Sequence, residues 1–150
     1  PEPRFHHMGI QDLSLYYSSS NIDDYYKFAF VRNPWDRVVS QYYWRTQEPR
    51  PHISKFLKSK HFKDLYKKGE NIYKINNEIV VDKVYKFENI NSAILELEKK
   101  LGFPKKLKLP ITKSNTRINK RDYHNLLSER EKLYIHQRFK NEIIEFKYEY

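Results

Sequence analysis

The sequence contains no cysteine, which excludes disulfides, thiolate metal sites and cysteine nucleophiles and fits a reducing compartment. No stretch approaches the roughly 18 consecutive apolar residues of a membrane-spanning helix. Glycine is scarce, at 3 of 150 residues, and proline numbers only 7; neither a disordered nor a low-complexity chain has that composition. The opening Pro1-Glu2-Pro3-Arg4 has no initiator methionine and no signal-peptide pattern. It reads as the start of a piece trimmed from something longer.

What the chain does have is aromatic rings, 13 Tyr and 9 Phe among them. Each ring buries a large area, so they offset a modest apolar share of 39%. A chain of this length builds one domain with a sizeable core, and two would be cramped. Lys and Arg outnumber Asp and Glu by 29 to 19, a formal charge of +10. A field of that sign draws in anions, whether nucleotide, anionic glycan or nucleic acid, without choosing among them. The competing, plainer reading of the charge is Lys/Asn/Ile-rich usage set by a biased genome.

Along the chain, Tyr25 to Val31 (YYKFAFV) is a short aromatic and β-branched run, the pattern of a strand covered on both faces. Asn33-Pro34 ends it and starts a helix, with Asn as the cap, Pro at the first position and Asp36 in the first turn. That helix is predicted to reach about Thr46, burying Val38, Val39, Tyr42 and Tyr43. A basic helical pattern follows from Ile53 to Lys68, with Gly69 as its stop. Asn76-Asn77 signals a turn, and Ile79 to Phe87 reads as a second strand. A helix capped by Asn91 or Ser92 runs through Leu101 to Gly102 and Pro104. Lys105 to Asp122 shows no period and is expected to be a loop. Ser128 with Glu131 forms a capping box for a last helix carrying Ile135, Phe139, Ile143 and Phe146 on one stripe. Covered strands alternating with helices predict an α/β fold.

In open α/β sheets, ligands collect beyond the carboxyl ends of strands, where helix N-termini attract anions. Arg32 sits at such a strand end, and its guanidinium can grip two phosphate oxygens at once. Ser40 lies two helical turns beyond Asn33, on the same helix face as the cap. One strand end and one helix face therefore converge on a dianion. The competing reading has Arg32 simply pairing with a carboxylate. For Asp36 and Arg37, capping charge and ion pairing are sufficient roles, and Trp35 is read as core.

The stretch FAFVRNPWDRVVSQYYW, Phe28 to Trp44, resembles the 3′-phosphate-binding motif of the carbohydrate-type sulfotransferases, which use 3′-phosphoadenosine 5′-phosphosulfate. The resemblance implies that Arg32 and Ser40 bind the 3′-phosphate of that nucleotide. Val81 to Ile90 (VDKVYKFENI) and the capping box with its closing helix are also similar to the family, mainly as scaffold. Glu88 is read there as holding a loop or an arginine.

The family implies a P-loop-like parallel sheet flanked by helices, and a phosphosulfate-binding loop before Phe28 with a Pro-Lys and small residues. Pro1 to Arg4 provides neither the Lys nor the strand, so that loop and its strand are expected to be missing from this chain. The chain is then the 3′-phosphate-binding portion of one sulfotransferase domain. Histidine suits a general base near neutral pH, and some glycan sulfotransferases place a catalytic histidine in the interval where His6 and His7 fall; the plainer reading is a partly exposed structural pair. His7 is the first choice and His6 the second. A late basic loop folds over the nucleotide in the family, which makes Arg117 and Lys120 candidate further contacts; the competing reading is a solvated basic loop. His52, His61, His124 and His136 receive no role, and no group of residues has metal-ligand spacing.

The resulting expectation is transfer of a sulfuryl group from the nucleotide donor to a hydroxyl of a carbohydrate acceptor, without a metal. A non-catalytic nucleotide-binding relative is the alternative. A basic nucleic-acid-binding module comes third, because the tyrosines fall in predicted core elements instead of a stacking surface. The lack of cysteine and anchor favours a bacterial cytoplasm over a Golgi lumen, the setting expected of a eukaryotic member.

Overall fold

A computed structural model describes residues 8–16, 22–109 and 123–150. The chain begins with helix α1 (Ile10–Tyr16), strand β1 (Phe28–Val31) and helix α2 (Pro34–Arg45). Two short helices follow, α3 (Ile53–Phe56) and α4 (Lys60–Lys68), then strands β2 (Lys74–Ile75), β3 (Glu78–Ile79) and β4 (Lys83–Lys86). Helices α5 (Ile90–Leu101), α6 (Glu129–Arg138) and α7 (Lys140–Glu145) complete the described elements. The architecture is mixed α/β, a small parallel sheet with helices around it.

The sheet that matters for the site is β1 paired parallel with β4, with Phe28 opposite Lys83, Phe30 opposite Tyr85 and Val31 opposite Lys86. Its two faces divide by the strand period of two. Ala29 and Val31 point into the main core with Trp35, Val38, Val39 and Phe62. Phe30 and Tyr85, ring centroids 5.6 Å apart, lie on the other face with Ala93 and Leu97 of α5. The second pair, β2 and β3, is an antiparallel hairpin. Asn76 and Asn77 turn it with φ of 50° and 69°, the left-handed pair of a type I′ two-residue hairpin turn.

Helix α2 starts where the residues dictate. The Asn33 side chain accepts from the Trp35 N–H at 3.1 Å and the Asp36 N–H at 3.4 Å, and Pro34 occupies the first turn. Val38, Val39 and Tyr42 lie one and two turns below Trp35 and are all buried. Fully burying such a side chain stabilises the fold by about 1.5–3 kcal/mol. Trp35 is core, as read from the sequence, and its indole N–H donates to the Lys132 carbonyl at 3.0 Å.

Several boundaries differ from the sequence reading. The first strand spans Phe28–Val31 only, leaving Tyr25 72% exposed before it. The single helix expected over Ile53 to Lys68 is two, because Ser59 takes an extended backbone and caps α4 by accepting from the Phe62 N–H. Gly69 does not stop the chain in a left-handed turn; its φ of −61° leads into a 3-10 turn over Glu70–Ile72. The strand expected over Ile79 to Phe87 divides into β3 and β4. Asp82 intervenes, its backbone N–H donating to the Lys27 carbonyl and its carboxylate accepting from the Lys27 N–H. Helix α5 begins at Ile90, after a 3-10 turn at Phe87–Asn89, with no side-chain cap from Asn91 or Ser92. The last helix is interrupted at Phe139, yet Ile135, Phe139 and Ile143 remain on one buried stripe.

Candidate anion-binding site

The parallel register places the carboxyl ends of β1 and β4 side by side. With Val31 opposite Lys86, the next residues, Arg32 and Phe87, become neighbours, and Asn33 lies by Glu88. The side chains follow that register. The Arg32 guanidinium carbon stands 4.7 Å from the centroid of the Phe87 ring, and the Asn33 backbone N–H donates to Glu88 Oε1 at 2.6 Å.

Arg32 has three neighbours of different kinds. Its Nε and Nη2 both reach Asp36 Oδ2, at 2.7 and 2.6 Å. Its Nη1 lies 3.4 Å from Ser40 Oγ. Phe87 covers one face of the plane. Arg32 thus pairs with a carboxylate, and it also stands beside Ser40. Asp36 does the pairing while also sitting in the first turn of α2, where a negative charge favours the helix dipole. Its side chain and that of Arg32 are both part-buried, at 18% and 27% exposure.

A guanidinium has five N–H donors in a rigid fork. Two face Asp36, and Ser40 is the other polar neighbour of Arg32 among the described residues. The remaining donors, the Ser40 hydroxyl and the start of α2 give this corner the means to bind a phosphate-like anion.

The corner is held from behind by the end of the chain. Asn33 Nδ2 donates to the Glu149 carbonyl at 2.8 Å, and the Tyr148 hydroxyl donates to Glu88 Oε2 at 3.3 Å. Burial, followed by the charge of Glu88, pushes the Tyr148 hydroxyl above its ordinary value. Tyr150 sets its ring edge-on to Trp35, 5.5 Å between centroids. Glu88 thus holds the turn after β1, as a scaffold residue. Arg37 points elsewhere, making a two-pronged pair with buried Glu142 at 2.9 and 2.7 Å. Burial pushes Glu142 above the usual carboxylate range, and Arg37 only partly offsets it.

The remaining sequence candidates divide by location. His6, His7, Arg117 and Lys120 lie outside the described residues. His52 caps α3 by accepting from the Ser54 N–H, and His136 packs beside Trp35. What sequence reasoning missed at the corner is Phe87. Its signal was present, because aligning VRN with KFE across two parallel strands puts Arg32 next to that ring.

Residues 4–74 match the model of the sulfotransferase family, a span that includes Arg32 and Ser40. A protein of Archaeoglobus fulgidus described as uncharacterized is 32% identical over 93 residues, covering 59% of this chain and 78% of that protein. No solved structure matches the chain. The match over residues 4–74 supports a sulfotransferase family for this chain. Among the described residues, no helix is long and apolar enough to cross a membrane.

Proposed function

We propose that this chain is the 3′-phosphate-binding portion of a single sulfotransferase domain, spanning residues 1–150. Its donor is 3′-phosphoadenosine 5′-phosphosulfate, and its acceptor is a carbohydrate hydroxyl. One observation carries the reading: in a chain of this family, Arg32 stands at a strand end with Ser40 beside it and N–H donors not directed at Asp36. Arg32 and Ser40 hold the 3′-phosphate, and Arg32 supplies the fork that a phosphate accepts in two places. Arg117 and Lys120 add cationic contacts to the same nucleotide. His7, or His6 in its place, takes the proton from the acceptor hydroxyl.

In the transfer, the acceptor oxygen bonds to sulfur as the bond from sulfur to the 5′-phosphate oxygen breaks. Adenosine 3′,5′-bisphosphate leaves, and the acceptor proton passes to the base. Positioning and electrostatic support carry such a step, so a fixed 3′-phosphate contributes by orienting the far end of the donor.

The test is thermal stabilisation by adenosine 3′,5′-bisphosphate against adenosine 5′-monophosphate. The bisphosphate is expected to raise the melting temperature much more, and Arg32→Ala to erase the difference. Equal shifts in the unaltered chain would rule out a 3′-phosphate site. A preference surviving Arg32→Ala would move the site elsewhere.

A further inference from the structure

We infer that Asp36 is a positioning residue for the anion site, holding the Arg32 guanidinium by one edge so that the opposite edge, beside Ser40, is presented to a phosphate. The inference deepens the 3′-phosphate reading and rests on it.

The geometry distinguishes a holder from a mere counter-ion. Asp36 engages Nε and Nη2 through a single oxygen, Oδ2, at 2.7 and 2.6 Å. That places the carboxylate on the side edge of the guanidinium. The end of the fork, with both N–H groups of Nη1 and the outer one of Nη2, faces away from Asp36. Phe87 blocks rotation on one face, its centroid 4.7 Å from the guanidinium carbon. Ser40 Oγ touches Nη1 at 3.4 Å, longer than a good hydrogen bond, so it yields readily to a phosphate oxygen. An arginine at a strand end otherwise carries several free rotors, which a ligand must freeze on binding. Here the edge, the face and the neighbour have fixed them in advance.

The opposing effect is repulsion between the Asp36 carboxylate and an incoming phosphate. Two features weaken it. The charge of Asp36 is already matched by Arg32 at contact distance, and it sits in the first turn of α2, whose dipole favours it. Orientation therefore outweighs repulsion, and loss of Asp36 weakens binding.

The experiment is isothermal titration of the full chain with adenosine 3′,5′-bisphosphate and with adenosine 5′-monophosphate, comparing Asp36→Ala, Asp36→Ser and Asp36→Asn. Asp36→Ala is expected to bind the bisphosphate about tenfold more weakly with the monophosphate unchanged, so that selectivity falls by the same factor. Asp36→Ser keeps a residue suited to a helix start, cannot reach the guanidinium edge, and is expected to match Asp36→Ala; it decides the case if the alanine variant does not fold. Asp36→Asn retains an acceptor oxygen without the charge, and is expected to stay within about threefold of the unaltered chain. A purely structural role would lower the affinity for both nucleotides together. If Asp36→Ser kept full selectivity, or bound the bisphosphate more tightly, Asp36 would be a competitor and the inference would be overturned. A wild-type chain that does not distinguish the two nucleotides defeats the 3′-phosphate reading itself, a separate outcome.

Discussion

Glu88 Oε1 accepts the backbone N–H of Asn33 at 2.6 Å, joining the exits of two parallel strands that lie 55 residues apart in sequence. Its second oxygen accepts from Tyr148, whose neighbour Glu149 receives the Asn33 side chain. The turn that places Arg32 and starts α2 is therefore fixed by residues far along the chain.

Replacing Glu88 by Ala leaves the Asn33 N–H to water and removes a bond to a charged acceptor. A loss of about 1.5 kcal/mol in unfolding free energy is expected from urea titration. Glu88→Gln keeps the acceptor oxygen and should cost about half as much. Nucleotide affinity should fall with Glu88→Ala as well, because the strand end carries Arg32. A stable variant with unchanged affinity would separate Glu88 from the site.

The Arg37–Glu142 pair is buried, with Glu142 only 2% exposed. Removing Arg37 alone, as in Arg37→Met, strands that carboxylate and should cost about 3–5 kcal/mol at neutral pH. Arg37→Met/Glu142→Leu should recover much of the loss, since no buried charge is left unpaired. Burial raises the native value of Glu142 above its ordinary 4.5, so the folded chain holds that proton more tightly than the unfolded one. Between the two values, the contribution of Glu142 therefore increases stability as pH falls. Unfolding curves of the unaltered chain and Glu142→Gln across this window should show the difference; parallel curves would contradict it.

Tyr73 is 1% exposed and its hydroxyl finds no hydrogen-bond partner among the described residues. Tyr73→Phe should therefore stabilise the fold, by about 1 kcal/mol. Burial, with Glu142, Glu70 and Glu145 adding to it, also holds the Tyr73 hydroxyl well above its ordinary value of 10.0. Above that pH the unfolded chain loses this proton and the native one keeps it, so stability falls as pH rises. The fall should be shallower in Tyr73→Phe, measured by urea midpoints from neutral pH to the alkaline limit. An equally steep fall would assign the slope to other groups.

Gly9 is required by close approach. A Cβ there would stand 2.2 Å from the Asn71 backbone oxygen, and α1 packs on the Glu70–Ile72 turn. Gly9→Ala should cost about 1–3 kcal/mol, because backbone cannot rotate aside as a side chain does. Amide exchange in α1 should speed up more than in α2. Uniform change across both helices would deny that the effect is local.

Local chemistry was legible wherever a few adjacent residues suffice. Asn33-Pro34 marks the start of α2, Ser128 and Glu131 form their capping box, and Asn76-Asn77 make the hairpin turn. Gly102 ends α5 with a φ of 65°. Periodicity was less decisive. Phe56, Leu57 and Phe62 are all buried as a helical pattern predicts, but the pattern does not reveal that Ser59 interrupts it. The alternation through Ile79 to Phe87 likewise does not show that Asp82 turns to bond Lys27.

At the candidate anion site, the sequence by itself determined which donors exist and on which elements. Arg32 follows a strand and Ser40 sits two turns into a helix, a consequence of local backbone geometry. Only the tertiary structure decided how Arg32 is held. The pairing of β1 with β4 supplies Phe87 and Glu88 from 55 residues away, and the folded corner shows Asp36 closing on the guanidinium. Strand register and side-chain rotamer arise from long-range packing, which no local pattern encodes.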